Sequence, residues 1–252
     1  MTFPVPVGAD NTLSAFLNLI FSVPPMPINL FKTLHNFTGK IRRRNQKTPI
    51  IVNQTITDPI PHLAWDMVQA LEQEDFFLYY QPQIDLSTGQ LWGVETLIRW
   101  QHPQFGAISP ATFIPIAEKS GLIVPLGYWV LKQSCQQYQK WRTLGIHPFK
   151  LSVNLSLRQL QEAELVPRIQ TILQDTQMNP QNLALEVTES LMYQDPEKVI
   201  ARLTRLKQIG IQIAIDDFGV GYSSLSYLKD LPLNILKIDK SFLDDLFSTP
   251  KD

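Results

Sequence analysis

Residues 211–225 read IQIAIDDFGVGYSSL. The run Ile211–Ile215 is apolar and rich in β-branched residues, the mark of a strand that packs into a core. It ends in two adjacent carboxylates, Asp216 and Asp217, and passes into a loop containing Gly219 and Gly221. Paired acids at the end of a buried strand contribute nothing to a core. They do suit divalent cations, which need fixed, deprotonated oxygen ligands. Asp-Asp also serves as the polar start of a loop, so the dipeptide alone leaves both readings open.

Outward from this stretch the chain repeats a strand–helix rhythm. The pattern predicts a helix over Leu63–Glu74, a strand over Phe76–Asp85, a turn over Asp85–Gly89 and a second strand over Leu91–Trp100. Helices follow over Ala111–Glu118 and Pro125–Leu144, then a third strand over Lys150–Leu155 and a helix from Arg158 to Asp175. Leu183–Val187 is the fourth strand, Pro196–Ile209 a helix and Ile211–Ile215 the fifth strand. Ser223–Lys229 reads as helix and Ile235–Asp239 as the sixth strand. Such alternation predicts parallel β/α units, with strands covered on both faces and therefore apolar throughout.

Composition narrows the function. Hydrophobic residues make up 44% of the 252, enough for a large core, and the formal net charge of −1 gives no support for a DNA- or RNA-binding face. One cysteine, Cys135, excludes an intramolecular disulfide and thiolate clusters. It falls in a helical pattern and reads as a packed thiol. Residues 1–61 are rich in Pro and Asn and read as an extension or linker ahead of a domain spanning residues 62–252. The apolar run Leu13–Val23 is too short to cross a bilayer and lacks a charged leader. No transmembrane segment is therefore expected, and the cytoplasm is the expected compartment. The basic cluster Lys40–Arg44 reads as a solvated linker ahead of the alternative, a contact for acidic lipid or a partner. His35, His62, His102 and His147 show no metal-binding spacing and take no role.

Polar residues recur near the strand ends. Glu95 lies in the second strand, Asn154 in the third, Glu186 in the fourth, Asp216 and Asp217 in the fifth, and Lys237 with Asp239 in the sixth. A charge inside a parallel strand is costly unless it is paired or binds metal. One such residue fits a structural ion pair; five strands repeating the pattern do not. In a β/α barrel these groups converge on one mouth. Carboxylates, an amide and an ammonium there make an oxygen-ligand site for Mg²⁺ or Mn²⁺.

The motifs Tyr80-Gln81-Pro82, Glu95-Thr96-Leu97-Ile98-Arg99-Trp100, Asn154-Leu155-Ser156, Glu186-Val187-Thr188-Glu189-Ser190, Asp216-Asp217-Phe218-Gly219 and Leu236-Lys237-Ile238-Asp239 resemble, in order and spacing, the EAL domain, the cyclic di-GMP phosphodiesterase of bacterial signalling. The resemblance covers residues 62 to about 247 and implies a TIM-type (β/α) barrel. It implies that Glu95, Asn154, Glu186 and Asp216 ligate one cation, and that Asp216 and Asp217 serve a second, roughly 3.5–4 Å away. Attack by an activated water would open cyclic di-GMP to linear pGpG. Lys237 and Asp217 would act in catalysis, Lys237 orienting the water and offsetting phosphate charge. Gln81 and Arg99 would contact substrate, although Arg99 also fits a structural salt bridge. Glu189 would anchor the loop that follows Asp216. The chain departs from the family at Thr96, normally Ala, and at Val220, normally Thr, neither of them a ligand.

The resemblance also implies two β/α units beyond Asp252, one carrying a glutamate and the other a glutamine near the site. No permuted copy of them lies in residues 1–61. The expectation is an incomplete barrel of about six of the eight units, which cannot close. Its exposed strand edges would invite pairing with a second copy or a completing chain. Two functions then compete: a phosphodiesterase completed from elsewhere, or a catalytically silent fragment that binds cyclic di-GMP or a protein. For the isolated chain, little or no hydrolysis is expected.

Overall fold

The computed structural model describes residues 60–73, 75–189, 195–219 and 231–241. The first elements are helix α1 (Ile60–Gln73) and strands β1 (Phe76–Ile84), β2 (Leu91–His102) and β3 (Gly106–Ile108). Helices α2 (Pro110–Ser120) and α3 (Ile123–Thr143) lead to β4 (Lys150–Asn154), and the short α4 (Leu157–Leu160) and α5 (Leu165–Asp175) lead to β5 (Leu183–Thr188). Helix α6 (Pro196–Gln208), β6 (Gln212–Phe218) and β7 (Ile235–Ile238) complete the described elements. One sheet runs β1-β2-β4-β5-β6-β7, with β3 attached to β2. Among the described residues it does not close on itself. The expected helix over 223–229, Val220 and the extension through residue 59 lie outside the described residues.

From β2 onward the main path is parallel, and helices join its strands as far as β6. The first strand departs from the expected parallel pattern: β1 pairs antiparallel with β2, Gln81 opposite Glu95. Its cause is the short turn, where Asp85 Oδ1 accepts from the backbone N–H groups of Ser87 and Thr88. A parallel return needs a crossover of a dozen or more residues, and this connection is a hairpin. The three-residue β3 also escapes sequence reading. A single helix expected over 158–175 is two helices, with Ser156 forming a capping box with Gln159 at the start of α4.

The strands are not apolar throughout. Register places Leu151 beside Leu183, and Val153 beside Leu185, which in turn pairs with Ile213. These residues form one face and are all at most 2% exposed. Helix α3 packs on β4 and α6 on β6. The opposite, inward face carries Glu95, Ser152 and Ala184 in one row and Asn154, Glu186 and Ala214 in the next. Helix burial thus takes one side of each strand and leaves the other for small and polar groups.

A second core lies where α1 and α2 meet the hairpin, built on Met67, Phe76, Trp100 and Phe113. Here His102, assigned no role from sequence, joins α1 to the β2–β3 turn. Its Nδ1 accepts from the backbone N–H groups of Gln104 and Phe105, at 3.1 and 3.2 Å. That fixes the proton on Nε2, which faces Asp66 Oδ2 at 3.3 Å. Cys135 is buried as expected, and burial pushes its thiol up to about 12.

Candidate metal centre

Strand β6 does not stop at its carboxylates. It continues through them to Phe218, and its pairing with β7 shifts between Ile215 and Phe218. Ile215 opposes Leu236 and Phe218 opposes Ile238, so Asp216 and Asp217 together oppose Lys237. This is a bulge, a device that re-aims side chains near functional sites. Asp217 occupies the left-handed region at φ 52°, which Asp tolerates better than most residues, and Gly219 follows at φ 99°.

Asp216 meets residues from three other strands. Lys237 Nζ lies 2.6 Å from Glu186 Oε2, 2.9 Å from Asp216 Oδ2 and 3.1 Å from Glu95 Oε2. Carboxylate oxygens of Glu95, Glu186 and Asp216 all lie within 4.8 Å of one another. Asn154 Nδ2 donates to Glu95 Oε1 at 3.4 Å. When ionised, three carboxylates against one ammonium leave two negative charges, the charge of one divalent cation. The donor set is hard oxygen with an amide carbonyl at its edge, which fits Mg²⁺, Mn²⁺ or Ca²⁺ better than a soft metal.

The electrostatics follow from burial. Burial raises the Glu186 carboxyl above its ordinary range and the Glu95 charge raises it further, against pulls from Lys237 and the Ser152 hydroxyl. For Lys237, burial alone would lower the ammonium. Its bond to Glu186 and that residue's charge, then its bond to Asp216 and the charge of Glu95, more than offset this, so the group is held charged, above its usual value. Asp217 is raised by desolvation, then by the charges of Asp216 and Asp239.

The other sequence-selected residues surround this cluster. Gln81 is the cross-strand neighbour of Glu95 on the inward face. Glu189 Oε2 accepts from the Gly219 N–H at 3.1 Å, tying the end of β5 to the residue after the bulge. Arg99 lies four residues beyond Glu95 on β2, with its Cζ 5.4 Å from the centre of the Tyr79 ring. It forms no ion pair among the described residues, so the salt-bridge alternative finds no partner there. Ser152 and Tyr79 were not selected from sequence. Each stands two residues before a selected one, Asn154 and Gln81, and strand periodicity placed both on the same face.

The fold and this cluster define a β/α-barrel protein with a cation-competent mouth. The chain belongs to the EAL domain family, whose model matches residues 66–252. It is 45% identical over 184 residues to the bifunctional diguanylate cyclase/cyclic di-GMP phosphodiesterase MucR of Pseudomonas aeruginosa, covering 73% of this chain and 27% of that protein. It is 42% identical over 199 residues to the cyclic di-GMP phosphodiesterase PA2567 of the same species, covering 77% and 34%. The chain thus spans about a quarter to a third of these curated relatives. Among solved structures, the PaMucR phosphodiesterase in complex with c-di-GMP matches at a TM-score of 0.70 and 44% identity, over 75% of this chain and 76% of that one. The EAL domain of FimX from Pseudomonas aeruginosa, bound to c-di-GMP, matches at 0.65 and 30% identity, over 73% and 74%.

Proposed function

We propose that this chain carries the cyclic di-GMP phosphodiesterase site of a bacterial signalling protein, hydrolysing cyclic di-GMP to linear pGpG. The observation behind this reading is the gathering of Glu95, Glu186 and Asp216 around Lys237 from four strands. Support also comes from MucR and PA2567, both named as cyclic di-GMP phosphodiesterases.

In this reading Glu95, Glu186, Asp216 and Asn154 hold one Mg²⁺ or Mn²⁺, and Asp216 with Asp217 holds the second. Bound there, the cations supply Lewis-acid charge and ease deprotonation of water. Water adds across one P–O3′ bond, its hydroxyl going to phosphorus and its proton to the departing 3′ oxygen. Lys237, held charged, offsets the negative charge that develops on the phosphate. The left-handed turn at Asp217 keeps two carboxylates together on one strand end, and Glu189 steadies the backbone after it. Gln81 and Arg99 orient the dinucleotide. Residues 1–61 serve as an extension ahead of the domain, and the cytoplasm is the compartment. Among the described residues no helix is long and apolar enough to cross a membrane. Among the described residues β1 and β7 are the outermost strands of the sheet, and such edges suit pairing with a second copy.

The test is incubation of the purified chain with cyclic di-GMP and Mg²⁺ or Mn²⁺, with the products separated by chromatography. Release of pGpG supports the proposal. Saturable binding without pGpG moves the assignment to a silent binding module, and no binding overturns it.

A further inference from the structure

Arg99 is the one sequence-selected residue whose surroundings explain how it is held but not what it is held for. Cross-strand pairing sets Phe77 opposite Arg99, Tyr79 opposite Leu97 and Gln81 opposite Glu95. These side chains share the inward face with the acidic cluster. The Arg99 guanidinium rests over the Tyr79 ring and Nη1 donates to the Ile98 carbonyl at 2.8 Å. A guanidinium has five N–H donors in a rigid fork. Among the described residues its partners are one carbonyl and one ring face, which leaves most of that fork for a ligand. Tyr79 itself is 58% exposed, so it is not a core residue, and its ring packs edge-to-face with that of Phe77, centroids 5.3 Å apart.

We infer that Tyr79 is a positioning residue for ligand binding, its ring holding the Arg99 guanidinium at the barrel mouth for contact with cyclic di-GMP. This rests on the functional reading above. An arginine left free must give up rotamers when it meets a phosphate or a guanine edge; one already stacked on a ring gives up fewer. Loss of the ring therefore weakens binding through Arg99, not through a separate contact.

The experiment is calorimetric titration of the full chain with cyclic di-GMP in Mg²⁺, with the recovered ligand checked for pGpG. It compares wild type, Tyr79→Phe, Tyr79→Leu, Arg99→Ala and the Tyr79→Leu/Arg99→Ala double variant. Tyr79→Leu is expected to weaken binding about tenfold with an unchanged Tm, and Tyr79→Phe to stay within about twofold of wild type. The double variant should bind no more weakly than Arg99→Ala alone, because the two losses are one loss. Wild-type affinity in Tyr79→Leu, or additive losses in the double variant, overturns the positioning role while leaving the phosphodiesterase reading intact. A wild-type chain that binds no cyclic di-GMP overturns both.

Discussion

On the helix-packed side of β4, β5 and β6, residues such as Leu151, Leu185 and Ile213 are apolar and sealed from solvent. On the inward side of the same strands, one residue away in sequence, stand Ser152, Asn154, Glu186 and Asp216. The first face gains from every methylene it hides, at about 25 cal/mol per Å². The second hides charge at a cost and recovers it only through partners from several strands. A strand two residues wide in period can therefore serve stability and chemistry at once, and the two roles should separate under mutation.

The largest effect is expected on the outer face. Leu185→Ala should lower unfolding free energy by about 2–5 kcal/mol in urea denaturation, because a fully buried side chain leaves a cavity. Next, Asp216→Asn should weaken Mn²⁺ binding by about 100-fold or more in calorimetric titration, with little change in the urea midpoint. An equal stability loss in both variants would erase the distinction between the faces. Lys237→Met should destabilise the cation-free protein by about 2–3 kcal/mol, less than a fully buried pair because the cluster keeps some contact with water. Added Mg²⁺ or Mn²⁺ should then raise the Tm of this variant more than that of wild type, as measured by thermal melts.

The smallest expected effect sharpens the rule from within the outer face. Thr96 stands where the family has Ala, is 2% exposed, and its hydroxyl finds no partner among the described residues. Thr96→Val keeps the shape and removes the orphaned hydroxyl, so it should add about 1 kcal/mol of stability in the same urea assay. A loss of stability would show that the outer face tolerates polarity better than its composition suggests.

Most strand positions and the charged cluster were legible in sequence because apolar runs and strand-end acids are local patterns. Glu95, Glu186, Asp216 and Lys237 come together as their strand positions required. The antiparallel β1 was readable from its turn but lost to the stronger β/α rhythm that follows. The bulge at Asp216–Asp217 was not readable, since it depends on where β7 pairs. Tyr79 beneath Arg99 and Asp66 beside His102 are likewise tertiary contacts: an aromatic on a strand and an acid on a helix carry no local sign of which partner will reach them.

The clamp on Lys237 also sets a clock. Glu95 is separated from its counter-ion by 142 residues of chain. At a synthesis rate of about 5–20 residues per second, Glu95 leaves the ribosome roughly 7–30 s before the lysine that will face it. Contacts this distant in sequence form late and slow the search for the native state. Until β7 docks, the acidic residues already made have no ammonium between them, so the site is assembled only when nearly every described strand is in place.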